Sequence, residues 1–114
     1  MSKQFVIKRA DLEPGSVCKV AAEGGCPLAI YNVEGRFYAT ADGCTHGDAS
    51  LATGEIVDGD LIECPVHQGQ FHIPTGQAVG FPCEVDIRTY RVIEEGDDIY
   101  VDLEAESDEA ASSI

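Results

Sequence analysis

The sequence predicts an all-β domain of antiparallel strands, arranged as a small sandwich or partly open barrel. Apolar residues come in short runs, turn residues separate these runs, and no stretch keeps a helical period over a useful length. A chain of 114 residues is long enough for one modest core. Strands are expected at residues 4–8, 17–22, 28–33, 36–41, 55–57, 61–63, 70–73, 77–79, 87–93 and 99–103.

Turn residues mark the connections between these strands. Glu34-Gly35 predicts a tight turn, and Asp58-Gly59 predicts a two-residue hairpin, because both pairs tolerate the left-handed backbone that such turns need. A further turn is expected at residues 74–76, and residues 94–98 are expected to connect the last two strands.

The C-terminal segment differs in composition from the rest of the chain. Residues 104–114 are acidic, rich in Ala and Ser, and nearly free of large apolar side chains. Such a segment buries too little apolar surface to order itself. We therefore expect one domain over residues 1–103, followed by a disordered tail.

The charge balance is strongly acidic, with 21 Asp and Glu against 7 Lys and Arg, for a net charge of −14. This field repels phosphate, which argues against nucleic acid or anionic membrane as a partner and favours a basic protein surface. Acidity also keeps a protein in solution.

No apolar run is long enough for a membrane span, and the first residues lack the pattern of a secretory signal. We expect a soluble, cytoplasmic monomer.

Five cysteines are an odd number for a disulfide framework. Cys18, Cys26 and Cys83 lie among apolar or turn residues and are expected to be thiols. Cys44 and Cys64 each lie close to a histidine. This pattern favours a reducing compartment in which some cysteines bind metal.

Two short motifs carry the candidate chemistry: Cys44-Thr-His46 and Cys64-Pro-Val-His67, separated by seventeen residues. Each motif follows a predicted strand, and the hairpin between them can bring the two together. Zinc accepts two Cys and two His, but a zinc finger usually takes its cysteines from one segment and its histidines from another. A mixed pair from each segment suits a two-iron cluster in which two His replace two Cys on one iron. A structural zinc site remains the alternative.

These motifs resemble the Rieske signature, and the chain around them resembles the stand-alone Rieske ferredoxins of bacterial aromatic-ring-hydroxylating dioxygenase systems. The resemblance covers residues 5–103 and leaves only the acidic tail unmatched. It rests on residues 44–51, 63–72, 74–76, 80–83 and 87–90.

The resemblance implies one Rieske-type 2Fe–2S cluster held by Cys44, His46, Cys64 and His67. The cysteines would bind the buried iron, and the histidines the outer iron, where the electron leaves. The implied function is electron transfer, not catalysis, from a flavin-dependent ferredoxin reductase to the Rieske/non-haem-iron terminal oxygenase. The alternative within the same fold is a Rieske-like small subunit of a reductase such as nitrite reductase.

The resemblance also indicates how the cluster is tuned. High-potential relatives carry a disulfide between the two ligand loops, but this chain has Asp48 or its neighbours and Val66 at those positions. Gly69 and Phe71 replace a Ser and a Tyr whose hydroxyls bond the cluster sulfurs in those relatives. We therefore expect a potential at the low end of the Rieske range of about −150 to +300 mV.

Glycines and a third loop complete the expected surroundings of the cluster. Gly47 and Gly69 lack side chains, which allows backbone amides to approach the sulfides. Pro82 resembles the proline of a third loop that covers such clusters. Plain turns are the alternative for all three residues.

Other polar and aromatic residues receive simpler assignments. His72 is expected to be a strand side chain or a hydrogen-bond partner, not a fifth ligand. Tyr90 is expected in the core or on a sheet face. Asp42, Asp48 and Glu63 are expected to attract basic partners towards the cluster.

Overall fold

The computed structural model describes residues 3–22, 25, 27–43, 50–65, 69–79 and 86–107. Within these ranges the chain forms ten strands, and every pairing between them is antiparallel. All ten predicted strands are present, with ends that differ by at most two residues. The strands are β1 Lys3–Lys8, β2 Ser16–Ala21, β3 Pro27–Val33, β4 Arg36–Ala41, β5 Glu55–Val57, β6 Leu61–Glu63, β7 Gln70–His72, β8 Ala78–Val79, β9 Thr89–Glu95 and β10 Asp98–Asp102.

The strands form two sheets. The larger has the order β1-β10-β9-β4-β3-β2, and the smaller has the order β5-β6-β7-β8. The smaller sheet is therefore inserted in the chain between two adjacent strands of the larger sheet, β4 and β9. Single 3-10 turns lie at Arg9–Asp11 and Leu51–Thr53. In the described part of the chain, no helix is long and apolar enough to cross a membrane.

The larger sheet separates two apolar clusters, and β3 shows how. Ala29 and Tyr31 contribute to the cluster shared with the smaller sheet, whereas Leu28 and Ile30 contribute to a second cluster on the opposite face. Side chains alternate between the faces of a strand, so a strand buried on both faces reads as a continuous apolar run. The second cluster draws on β1, β3, β4, β9 and β10, as expected for a sheet that curls around it. The predicted fold class is confirmed.

Of the two turns predicted to have two residues, one has that length and the other is longer. Glu34 and Gly35 have φ of 54° and 95° and form the expected tight turn between Val33 and Arg36. The β5–β6 connection has three residues instead of two, because Val57 pairs with Leu61. The third residue, Asp60, does not join the β5–β6 ladder: its carbonyl accepts the Ile73 N–H at 2.8 Å.

The predicted five-residue connection at 94–98 is wrong, because β9 and β10 continue into a two-residue turn at Gly96 and Asp97. Acidic side chains at these strand ends are held by basic side chains from the first nine residues. These pairs join the N-terminal residues to the ends of β9 and β10 near the turn, although each contributes only about 0–1 kcal/mol. The pairs are Lys3–Glu95, Lys8–Asp98 and Arg9–Glu94.

The first part of the predicted disordered tail is packed on the domain. The Ala105 carbonyl accepts the Arg91 N–H at 2.9 Å, and the Ser107 N–H donates to Thr89 Oγ1 at 3.1 Å. The Ser107 hydroxyl donates to the Pro74 carbonyl. Ser107 is only 4% exposed and joins β9 to the turn after β7. Sequence composition missed this contact, and residues 108–114 lie outside the described residues.

A chain ending at Leu103 should be less stable than the full chain. It loses the hydrogen bonds made by Ala105 and Ser107, which together are worth about 1–3 kcal/mol of unfolding free energy. Urea denaturation measures the difference, and a chain ending at Ser107 is the control, expected to match the full chain. Equal midpoints for the two truncated chains would contradict this prediction.

Candidate metal centre

The first predicted ligand motif follows the end of β4. Gly43 and Ser50 form an isolated antiparallel bridge that closes the segment of residues 44–49 at its base. Cys44 and His46, the two predicted ligands of this motif, lie in that segment and outside the described residues. The 3-10 turn Leu51–Thr53 follows at once.

The second motif lies between β6 and β7. The Cys64 N–H donates to the Gly69 carbonyl at 2.7 Å and closes the connection one step beyond the last strand pair, Glu63 with Gln70. Gln70 Nε2 also donates to Glu63 Oε1 at 3.3 Å. His67, the fourth predicted ligand, lies in the part of this connection that falls outside the described residues.

A backbone contact brings the bases of the two segments together. A Cβ placed on Gly54 would lie 2.1 Å from the Glu63 carbonyl oxygen, so only glycine fits here without a shift of the backbone. Glu55, the next residue, pairs with Glu63 across β5 and β6. The chain leaving the first segment therefore runs directly against the chain entering the second. The bases of the two segments therefore lie side by side, and the convergence of the ligands themselves stays a prediction.

The environment of Cys64 fits an iron–sulfur ligand. The Cys64 side chain is fully buried, and the apolar core cluster to which it belongs includes Leu51, Ile62 and Phe71. A bare thiolate in such surroundings is costly, whereas iron stabilises it. Cysteine and histidine are also the donors that a Rieske cluster requires. The surroundings of Cys64 therefore fit the group.

Cys64 is the one predicted ligand that the structure describes. Within the described ranges, no group of three or more His, Cys, Asp or Glu side chains is arranged to hold a metal ion. The two segments that contain Cys44, His46 and His67 extend from the bases described above, and the full ligand set stays a prediction.

Asp42 does not have the predicted surface role. It is 2% exposed, and its carboxylate accepts hydrogen bonds from the Ser50 hydroxyl at 2.6 Å and the Ala52 N–H at 2.9 Å. A carboxylate buried in this way cannot contact a partner protein directly. Sequence analysis missed this because Asp42 meets its partners only after the chain has turned back on itself.

Glu63 keeps the predicted surface position. It is partly exposed at the end of β6, immediately before Cys64, and lies opposite Glu55 on the neighbouring strand. Like charges directly opposite each other on paired strands are unfavourable. Asp48 lies outside the described residues.

His72 is a hydrogen-bond partner, as expected. Its ring nitrogens lie 2.8 Å from Thr75 Oγ1 and 3.0 Å from Asp60 Oδ2. Both nitrogens are thus engaged at the end of the smaller sheet away from Cys64. Tyr90 is buried, as predicted.

The remaining cysteines and the tuning positions are only partly described. Cys18 is a half-buried free cysteine, and burial raises the pKa of its thiol, which keeps it protonated and weakens it as a ligand. Gly69 and Phe71 are both buried and offer no hydroxyl group. Residues Cys26, Gly47, Val66, Pro82 and Cys83 lie outside the described part of the chain.

Comparison with known families identifies the class of protein. The Rieske [2Fe-2S] domain matches residues 2–91. This chain belongs to that family, and its cofactor is one Rieske-type 2Fe–2S cluster.

Two relatives are similar over most of their length. Ferredoxin CarAc of Metapseudomonas resinovorans is 44% identical over 96 residues, which are 84% of this chain and 89% of the relative. The ferredoxin component of biphenyl 2,3-dioxygenase from Rhodococcus jostii (strain RHA1) is 41% identical over 104 residues, 91% of this chain and 95% of the relative. Both relatives are named as ferredoxins, which are electron carriers.

Solved structures show the same fold. The Sphingomonas yanoikuyae B1 ferredoxin has a TM-score of 0.83 and 40% identity, with coverage of 89% of this chain and 98% of that one. A chain in the complex of reduced oxygenase and oxidized ferredoxin of carbazole 1,9a-dioxygenase has a TM-score of 0.81 and 42% identity, covering 87% and 91%. A putative nitrite reductase small subunit has a TM-score of 0.75 at 21% identity, covering 89% and 98%, which shows a shared fold alone.

Replacing Gly54 by alanine should destabilise the protein and disturb the junction of the two segments. The new methyl group would overlap the Glu63 carbonyl, and relieving the overlap should cost about 1–3 kcal/mol of unfolding free energy. Gly43→Ala is the control, because a Cβ there meets nothing within 4 Å. Thermal unfolding measures both variants, and equal melting temperatures would show that the close contact has no consequence.

Proposed function

We propose that this chain is the ferredoxin component of an aromatic-ring-hydroxylating dioxygenase system. It takes single electrons from a flavin-dependent ferredoxin reductase and passes them to the terminal oxygenase. The observation that carries this proposal is the 41–44% identity, over more than four fifths of the chain, to ferredoxins including one named as a dioxygenase component. The conserved fold around a buried Cys64 supports it.

The proposed ligands are Cys44 and His46 from the first segment and Cys64 and His67 from the second. When bound, the cluster accepts and releases one electron. The chain's own part is to bury the Cys64 side chain and to hold the bases of the two ligand segments side by side. The absence of a hydroxyl at Gly69 and Phe71 leaves the reduced cluster with fewer hydrogen bonds, which favours a low potential.

The nitrite reductase alternative has weaker support, since the identity of 21% shows only that the fold is shared. A structural zinc module is disfavoured by the family match. A single domain that extends to Ser107, the monomeric state and a cytoplasmic location are part of the proposal. The half-buried thiol of Cys18 is consistent with a reducing compartment.

Visible absorption and EPR spectra of the purified protein test the proposal. A brown protein that contains two irons and gives an EPR signal of low average g after dithionite supports it, and a redox titration should then place the potential near the low end of the Rieske range. Reduction by a flavoprotein reductase and reoxidation by an oxygenase component complete the test. A colourless protein that holds one zinc would overturn it.

Ligand variants should lose the cluster, whereas matched variants of other cysteines and histidines should keep it. Cys64→Ser and His67→Gln each remove a proposed ligand, so iron content should fall to a small fraction of the wild-type value. Cys18→Ser and His72→Gln are the controls, because Cys18 and His72 lie outside the proposed set. Iron analysis and the visible spectrum report the result, and a full iron complement in His67→Gln would exclude that residue.

Glu63 should help to attract a basic partner. Removing its charge in Glu63→Gln should lower the rate of electron delivery at low salt by about two- to fivefold, and the difference should shrink as ionic strength rises. Stopped-flow reoxidation by the oxygenase measures the rate. Glu34→Gln is the control, because its turn lies at the other end of β4. Rates that do not change with salt would contradict electrostatic attraction.

A further inference from the structure

Asp42 lies at the start of the first ligand segment and forms hydrogen bonds with the residues that follow its end. Its Oδ2 accepts the Ser50 hydroxyl at 2.6 Å, and its Oδ1 accepts the Ala52 N–H at 2.9 Å. Its backbone carbonyl accepts the Leu51 N–H at 2.8 Å, and its own N–H donates to the Pro27 carbonyl on β3 at 3.2 Å. One residue thus joins the entry of the segment, its exit and the larger sheet.

The carboxylate also completes the 3-10 turn Leu51–Thr53. The first N–H groups of any helical turn lack a partner within the turn and need an acceptor from elsewhere. Ser50 stands in the capping position but makes no capping bond, since its hydroxyl donates to Asp42 instead. Asp42 supplies both acceptors instead: its backbone carbonyl accepts the Leu51 N–H, and its carboxylate accepts the Ala52 N–H.

The charge of Asp42 is only lightly compensated. Among the described residues, the one cation within 4 Å is Lys19, whose Nζ lies 3.8 Å from Oδ2 and whose side chain is 58% exposed. A hydrogen-bonded carboxylate in a buried site acts over a longer range than one in water.

We propose that Asp42 is a positioning residue for the cluster: its carboxylate ties Ser50 and Ala52, at the exit of residues 44–49, to the entry of that segment, and so fixes the base from which the proposed ligands Cys44 and His46 extend. Its negative charge also lowers the reduction potential, because the reduced cluster is the more negative state. This inference rests on the proposed ligand set. It assigns to Asp42 a role towards the cofactor that is separate from ligation.

Two substitutions separate the hydrogen bonds from the charge. Asp42→Ala removes the acceptors and leaves the Ala52 N–H without a partner. Asp42→Asn keeps an acceptor for Ala52, and its amide can donate to the Ser50 hydroxyl, which both donates and accepts. The control is Asp102, a second buried aspartate that lies on β10 and accepts the Glu104 N–H at 3.0 Å.

The first readout is loss of cluster absorbance in the presence of a chelator, at a temperature where circular dichroism shows every variant folded. Asp42→Ala should lose the cluster at least about tenfold faster than wild type or Asp102→Ala. Asp42→Asn should stay within about twofold of wild type, because the contacts are reproduced. Equal rates for Asp42→Ala and Asp102→Ala, or equal rates for the two Asp42 variants, would overturn the positioning role.

The second readout is one that a merely structural role would not move. Asp42→Asn should raise the reduction potential, whereas Asp102→Asn should leave it nearly unchanged. Asp42→Ala should in addition shift the EPR g values. An unchanged potential in Asp42→Asn would refute the electrostatic part.

Ser50→Ala decides the question if Asp42→Ala does not fold. It removes one contact to the carboxylate and should speed cluster loss relative to Thr53→Ala, whose hydroxyl bonds the Ser50 carbonyl and not Asp42. Equal rates of cluster loss in Ser50→Ala and Thr53→Ala would overturn the inference.

Failure of the proposed function would be recognised differently, since the wild-type protein itself would then hold no two-iron cluster.

Discussion

The contact between Gly54 and the Glu63 carbonyl is the constraint on which the metal centre depends. A cluster bound by two separate segments needs their bases within a few ångströms, and a side chain at residue 54 would force them apart. The pairing of Glu55 with Glu63 then defines the register between β5 and β6. Because side chains alternate along a strand, a shift of one residue would turn Ile62 from the core to solvent. The register that buries Ile62 also places Cys64 directly after the pair of Glu55 with Glu63.

The larger sheet provides the rigid base for this arrangement. β3 and β4 are buried on both faces and carry Asp42 at the end of β4. The smaller sheet is short, and by itself it would be marginally stable. It gains stability from the apolar cluster shared with Tyr31 and Ala29 of β3. The ligand segments are therefore attached at their bases to the most buried part of the molecule.

Local sequence predicted most of the fold and little of what supports the site. Short apolar runs and turns such as Glu34-Gly35 are local signals, so the strands followed from them. The bonds of Asp42 to Ser50 and Ala52 form only when residues 44–49 return on themselves, so an acid near the motif looked like a surface charge. Ser107 was missed for the same reason, because its polar side chain is satisfied by Pro74, far away in the sequence. Among the features that support the site, Gly54 alone carries a local signal, because a glycine next to a strand often marks the close approach of another backbone.

The uneven charge along the chain has a spatial counterpart that limits where a partner is recognised. Three acids of β9 and β10, Glu94, Glu95 and Asp98, pair with Arg9, Lys3 and Lys8, so that charge is partly neutralised at the end of the larger sheet away from Asp42. Glu63 and Glu55 have no such basic neighbour among the described ion pairs, and they lie beside Cys64. Among the described residues, acids are therefore paired with bases at one end, whereas Glu55 and Glu63 at the other end are not, and the electrostatic field is uneven. This asymmetry would draw a basic partner towards the end that carries Cys64, and it would do so against the mutual repulsion of the two glutamates.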